Sequence, residues 1–484
     1  MVVEKYNTGV TEAASLNRQA VAAAVAGNGL FAHRLLRRAA RWDPSNDGVR
    51  ANIHTLESDR PDLLSVRVAV LSLLYNWPSR GGGTIHTREL VRFLQKAGFT
   101  VRHLVARCDT WGVGQVSEDA AGECRTIHFE PRDWTAERIQ QQFRHAARSF
   151  QPDYCIVTDS WNFKPLLAEA VKEFPTFLRL AAQECLCPLN NVRLLADGES
   201  GVTTCPIHQF ADPDGCRRCV SMHRVFSGSL HEAERLLSGF AEPEYPKRLR
   251  EAFKAAQGVL VVNPSVAKLI GPYCRQVHVV PSGFDPARFP WGVDEIALSD
   301  TRANGEFRVF FAGLVNEPMK GFRILQEAVR RLRASGRNVV IHATGEPRGW
   351  QNDFTLFMGW LNQQELPRFI RDADVLAFPT IAEEGLGRSA VEAMGCGRPV
   401  VASRIGGLSW TVIDGETGWL FESGNVGELV QKLESLIDRP NLRMEMGRAG
   451  RLRFEQEFTW DAVIERHYRG LLQMPSDIRN TELS

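Results

Sequence analysis

The chain has almost no charge of one sign to spare: 58 Lys and Arg stand against 57 Asp and Glu, a formal net charge of +1 over 484 residues. Without a one-signed field, nucleic acid or another polyanion is not favoured as a general partner. Long apolar runs are missing as well. The opening MVVEKYNTGVTEAASLNRQA has no apolar core like that of a signal peptide, and nowhere do about 18 uncharged apolar residues run together, as a spanning helix needs. The expectation is a soluble, cytoplasmic protein. Cysteine is too sparse for a disulfide scaffold, with 10 in the chain, so in a reducing compartment these residues are thiols or metal ligands. No Walker A lysine motif follows a strand and no G-x-S-x-G elbow is present.

What is present is organised in series. A chain of this length exceeds one ordinary core, so two large units and something smaller are expected. Residues 1–62 read as helices, an appendage similar to a single tetratricopeptide-like unit. At Ser65 the pattern changes to SVRVAVLSLL, a buried strand, then a glycine-rich turn and the amphipathic TRELVRFLQKAGF, a βαβ opening. A second series starts near GVLVVNPS and VHVVPSGFD and runs through FRVFFAGL, NVVIHATG, DVLAFPT and PVVAS with helices between. Two such series predict an α/β protein with two Rossmann-like, doubly wound domains at residues 63–275 and 276–458, and a ligand crevice at the strands' carboxyl ends. A cysteine-containing insertion interrupts the first at about 184–222, and a terminal helix at 459–475 is expected to cross back to it.

Arg34, Arg37, Arg38 and Arg41 fall at i, i+3, i+4 and i+7, one basic stripe on a helix. The plain reading is a solvated face; the alternative is a contact with a partner or with an anionic lipid surface, peripheral to the inner membrane face.

The sharpest segment is AEEGLGRSAVEAMGCGRPVVAS. Glu384 and Glu392 are separated by seven residues, and Gly385-Leu386-Gly387 opens a helix between them, beginning at Arg388. Backbone N–H groups at such a turn suit phosphate or sugar oxygens, and a carboxylate two turns in can accept from a ribose diol. Two glutamates on a helix can also be plain surface charges. Together with VVPSGFD, Lys320-Gly321 before a helix, and IGGLSWTVIDGETGWLFESGNVGELVQKLESLI, this segment resembles the C-terminal domain of glycosyltransferase family 4, retaining enzymes of the GT-B fold. The resemblance covers roughly Val259 to Leu471.

That resemblance implies a retaining transfer of a hexosyl group from a nucleotide diphosphate sugar, UDP- or GDP-linked, to a hydroxyl acceptor, with no catalytic cofactor. It implies that Glu384 binds donor-sugar hydroxyls, Glu392 the ribose and Lys320 the diphosphate, with Gly313, the backbone near Met358, and Gly82 and Gly83 of the N-terminal glycine loop completing the donor site. Arg80, His86 and Thr87 beside that loop are further contributors. The chain departs from the family where Gly313-Leu314-Val315 replaces Gly-Arg-Leu, which leaves one diphosphate cation to be supplied by Arg348, Arg388 or another group. It departs again where Thr158 and Asp159 replace a catalytic-site histidine. Asp159 and Glu184 are therefore candidates for orienting acceptor or donor, against structural carboxylates. Cys187, Cys205, Cys216 and Cys219 form a set compatible with tetrahedral structural zinc, against unliganded or disulfide-forming thiols. An epimerase or hydrolase acting on nucleotide sugars, or a binding protein without catalysis, remains the alternative of the same fold.

Overall fold

The computed structural model describes residues 2–473 except 27, 60–64, 80, 198–200, 223–228 and 292–304. The expected boundary at 62/63 and the expected end of the terminal helix at 475 lie outside the described residues.

Three helices come first, α1 (Val2–Val25), α2 (Gly29–Trp42) and α3 (Asp47–Asp59). Asn28 caps α2, its side chain accepting from the Phe31 amide. Leu35, Leu36 and Ala39 of α2 recur at helical spacing and close on Leu16 and Ala20 of α1 and on Val49 and Ile53 of α3, a small core of their own. The basic stripe on α2 is not one solvated face. Arg38 and Arg41 are exposed, but Arg34 and Arg37 are buried. Arg34 Nη1 donates to both carboxylate oxygens of Asp153 at 2.7 Å, and Asp153 also accepts from the Arg67 amide at 2.9 Å. A buried guanidinium needs such a partner, and here the partner fastens the appendage to the first α/β domain.

That domain contains β1 (Arg67–Ser72), the helix α4 (Gly82–Lys96), β2 (Thr100–Arg107), β3 (Arg125–His128), β4 (Tyr154–Thr158) and β5 (Thr176–Leu180). The insertion follows as the antiparallel hairpin β6 (Leu194–Asp197) and β7 (Gly201–Thr204) with a helix at Pro213–Met222. Then come β8 (Gly258–Val261) and β9 (Val277–Val279), giving a parallel sheet in the order β3-β2-β1-β4-β5-β8-β9. Val68 to Leu71 is apolar without alternation because helices cover both faces of a parallel sheet.

The second sheet is built from β10 (Phe307–Phe311), β11 (Val339–Ala343), β12 (Thr355–Phe357), β13 (Val375–Phe378), β14 (Val400–Ser403) and β15 (Gly418–Phe421), also parallel, in the order β12-β11-β10-β13-β14-β15. The direction of winding reverses between β1 and β4 in one sheet and between β10 and β13 in the other. Those switch points are where such sheets open a crevice for a ligand. The chain then returns: Trp460, Val463, Ile464, Tyr468 and Leu472 pack with Val68, Val70 and Leu90 in the core of the first domain. Trp460 is fully buried, stacks on Phe93 at 5.6 Å and donates from Nε1 to Glu89 Oε2 at 3.0 Å.

Candidate active site

The loops leaving β1, β4, β10 and β13 carry nearly every candidate residue, and the two domains meet along them. In the second domain, the turn after β10 holds Gly313 and leads to Lys320; the turn after β13 holds Glu383 and Glu384, then Gly385, Leu386 and Gly387, then the helix Arg388–Gly395. Lys320 Nζ donates to Glu384 Oε1 at 2.6 Å, so the two groups the motif pairs in sequence are paired in space. Gly385 must be glycine for a tertiary reason: a Cβ there would stand 2.5 Å from the carbonyl oxygen of Ala181, in the loop after β5 of the other domain. Asn263, at the end of β8, donates to the Gly385 carbonyl from the same side.

Of the two named replacements for the missing cation, Arg348 is exposed, while Arg388 reaches across the seam. Its guanidinium lies 4.3 Å over the Phe284 ring, and its Cδ would be 2.7 Å from a Cβ on Gly82, so the glycine loop is bare where the arginine crosses it. Neither Nη makes a hydrogen bond, and the nearest acid is Glu89 at 3.8 Å. Leu314, at the family arginine's position, is exposed.

Glu392 is buried, with its Oε1 3.5 Å from Arg288 Nη2, and Arg288 in turn reaches Glu89 Oε1 at 3.2 Å. Burial raises the Glu392 pKa above the usual carboxylate range, with Arg388 and Arg288 pulling it back. Removing water from a carboxylate and then supplying guanidinium partners leaves a strong acceptor where a diol can bind.

In the first domain, Asp159 follows β4 with a left-handed backbone, φ 39°. Burial pushes its pKa up to about 6, opposed by hydrogen bonding from Thr87 and the charge of Lys164. Gly83 adjoins it: a Cβ there would lie 3.4 Å from Asp159 Oδ1. Thr87 also shares a hydrogen bond with Thr158 at 3.1 Å. Glu184 is held differently. Its two oxygens accept from the amides of Ala181 and Ala182 at 3.1 and 2.8 Å, which fixes the loop that touches Gly385. His86 is fully buried: it accepts from Arg179 Nε at 3.3 Å and packs on Trp460 at 5.1 Å, and burial, with the charges of Arg179 and Arg388, drives its pKa well down, so the ring is neutral. Arg80 lies outside the described residues.

Sequence reasoning missed several groups. Lys164 is fully buried 4.0 Å from Glu184 Oε1, and its Nζ makes no hydrogen bond; the only sign in the sequence is one lysine inside the apolar run WNFKPLL. Glu383 Oε2 accepts from Gln183 Nε2 at 2.6 Å and Arg193 Nη2 at 2.8 Å, a bridge between domains that no spacing announces. Near Met358 two backbone groups are already committed: its amide donates to Ala343 at 2.9 Å, and the Gly359 carbonyl accepts from Gly345 at 2.6 Å.

The cysteine insertion gives less than the spacing promised. Cys187, Cys205, Cys216 and Cys219 lie close enough for their charges to be felt by one another, and burial first, then these neighbours, push the Cys216 thiol up to about 12. No disulfide joins them, and among the described residues no three His, Cys, Asp or Glu side chains gather into a group that could hold a metal ion.

Among the described residues no helix is long and apolar enough to cross a membrane. The family described as "Glycosyl transferases group 1" matches residues 306–439. The D-inositol 3-phosphate glycosyltransferase of Pseudarthrobacter chlorophenolicus is 30% identical over 241 residues, 45% of this chain and 57% of that protein. The glycogen synthase of Mycobacterium tuberculosis is 30% identical over 213 residues, 42% of this chain and 50% of that protein. The chain spans about half the length of the curated relatives it matches. Among solved structures, sucrose-phosphate synthase of Thermosynechococcus elongatus superimposes with a TM-score of 0.59 at 20% identity, covering 84% of this chain and 99% of that one. Anabaena HepE in complex with UDP and glucose gives 0.56 at 15% identity, with 84% and 99% covered. Identities this low speak for the fold, and the fold they speak for is the pair of facing Rossmann-like domains. The match to the glycosyl transferases group 1 family lies in the C-terminal half, at residues 306–439, and the chain has the GT-B fold of these solved structures.

Proposed function

We propose that this protein is a retaining glycosyltransferase that moves a hexosyl group from a nucleotide diphosphate sugar to a hydroxyl acceptor. The observation that carries the reading is the seam itself: Lys320, Glu384, Arg388 and Glu392 of one domain converge on the glycine loop and Asp159 of the other. Glycosyl transfer puts positive charge on the sugar and negative charge on the departing diphosphate, so the protein's main contribution is a preorganised set of cations and amides at the leaving group. Lys320 and Arg388 supply the cations, and the turn at Gly385 to Gly387 supplies the amides. Arg388 takes the part of the arginine missing at Leu314.

Glu384 holds Lys320 in place and accepts from sugar hydroxyls, while Glu392 binds the ribose. Asp159 faces the sugar from the other domain as an ionised acceptor above about pH 6. Glu184 acts through the loop it fixes and not on the reacting atoms. With the domains in contact through Gly385 and Glu383, water, the competing acceptor, is kept from the anomeric carbon. Anabaena HepE, crystallised with UDP and glucose, supports a UDP-linked donor, and the N-terminal domain selects the acceptor.

The test is a thermal shift series with UDP, GDP, ADP and TDP and their sugar conjugates, followed by assay of labelled sugar transfer. One nucleotide series should raise the unfolding midpoint of the wild type and not of Glu392→Ala. Conversion of the donor without any transfer would replace this reading with a hydrolase or epimerase, and no response at millimolar nucleotide would replace it with a protein that has lost its donor.

A further inference from the structure

A cavity of about 1010 Å³ lies at the other end of the first sheet. Its floor is made by residues at the amino ends of β4, β5 and β8, namely Asp153, Thr176 and Gln257 with their neighbours, and its wall by α2. The seam described above lies at the opposite, carboxyl ends of these strands, a strand length of roughly 15 Å away at 3.3 Å per residue. Nothing in the proposed transfer uses this space.

Its lining is unusual for a crevice between an appendage and a domain. Seven Lys and Arg side chains line it against four Asp and Glu, in a chain whose overall charges nearly cancel. Packing alone would not collect them, since like charges repel and burial strips them of water. The effect is visible at Arg34, where burial, first, and the nearby Arg37 and Arg41 lower the pKa against the pull of Asp153. Arg34 uses only Nη1 on Asp153; its Nε and Nη2 are buried without a hydrogen-bond partner. Those two N–H groups form the side edge of the guanidinium fork, the edge that takes two oxygens of one phosphate or carboxylate. Arg38 and Arg41 stand exposed at the rim, and among the described residues neither makes an ion pair. Trp42 and Phe31, exposed on the same helix, offer apolar surface beside the charges.

We propose that the cavity between α2 and the base of the first sheet is a binding site for a phosphoryl group carried on a larger molecule. The Arg34 fork takes two phosphate oxygens, Arg38 and Arg41 close on the rest of the charge, and Trp42 covers an apolar part of the bearer. A phosphate monoester in solution and a phospholipid headgroup share this chemistry.

The experiment uses the full chain and the double variant R38Q/R41Q, whose side chains are exposed and carry no contact of the fold. Inorganic phosphate and glycerol 3-phosphate are titrated at constant ionic strength against chloride by thermal shift, with UDP present throughout to occupy the donor seam. Flotation is run in parallel with vesicles of phosphatidylcholine, with and without phosphatidylglycerol. The expected result is a phosphate-specific rise in the wild-type midpoint or flotation that needs phosphatidylglycerol, with affinity weakened about fivefold or more in R38Q/R41Q, as two lost charge-assisted contacts imply. Response to the soluble phosphates assigns the site to a metabolite, and response to vesicles alone assigns it to a headgroup. The proposal is overturned if neither probe acts beyond chloride or phosphatidylcholine, or if R38Q/R41Q responds as the wild type does. Arg34→Lys, which keeps the charge near Asp153 but removes the fork, gives a second reading: it should lose the response while unfolding within a few degrees of the wild type.

Discussion

The two switch points of the molecule are built alike and equipped differently. After β10 and β13, the second domain presents Lys320 paired with Glu384, and Glu392 met by Arg288 from the stretch before β10. After β1 and β4, the first domain presents bare glycine and the buried Asp159 and Lys164; polar atoms without a hydrogen-bond partner among the described residues stand on both sides, Asp159 Oδ2 and Lys164 Nζ here, Arg388 Nη1 and Nη2 and Glu392 Oε1 there. The first arrangement suits a diphosphate and ribose, which every donor of the class has in common. The second suits a face that differs between enzymes, where unspent polar groups wait for particular hydroxyls. A motif search therefore finds one half and passes over the other.

The largest effect should come from the half with the motif. Lys320→Ala should lower turnover about 10²- to 10³-fold, the usual loss on removing one preorganised charge from a leaving group, while circular dichroism stays unchanged. If turnover falls less than tenfold, Arg388 carries the diphosphate alone. Next, Glu392→Ala should weaken nucleotide binding about 10- to 100-fold by calorimetry, the range for losing hydrogen bonds to a charged acceptor.

On the other side of the comparison, Asp159→Asn tests the buried carboxyl. Its folded pKa of about 6 lies above the ordinary carboxylate value, so the native state holds this proton more tightly than the unfolded chain does. Stability from this group is full below about pH 4 and is lost as pH rises through 6. The variant should therefore melt above the wild type at pH 8 and lose that advantage at pH 4. Wild-type transfer should rise with an apparent pKa near 6 that is absent in Asp159→Asn. A flat wild-type profile between pH 5 and 7 would remove Asp159 from the sugar's surroundings.

The smallest effect is expected at Leu314. Restoring the family's arginine by Leu314→Arg should change the donor KM by less than about threefold, because Arg388 already provides that charge. In Arg388→Leu the same addition should rescue tenfold or more of the lost turnover, and failure to rescue would show that the two positions do not serve one role.

Periodicity made the two series of strands legible, since parallel strands buried on both faces must be apolar runs and their covering helices must be amphipathic. The segment from Glu384 to Glu392 was legible as a glycine turn opening a helix at Arg388, since such a turn is written in neighbouring residues. The same helical rule misled at α2: Arg34 to Arg41 share a face, but the rule cannot say what the face meets. For Cys187 to Cys219 the spacing CxxC fixes two thiols locally and leaves their meeting with Cys187 and Cys205 to tertiary packing.

The sequence by itself determined the strands and helices and their order, because these depend on neighbours within a few residues; it did not decide that GVLVV and VHVV, read into the second series, pair as β8 and β9 in the first sheet. Only the tertiary structure decided that Arg388 crosses to Gly82, that Glu184 serves a loop, that His86 is packed neutral beneath Trp460, and that Arg34 is buried on Asp153. Each of those contacts joins residues distant in the chain, and whether a charge is solvated, paired or left open follows from what packing brings beside it.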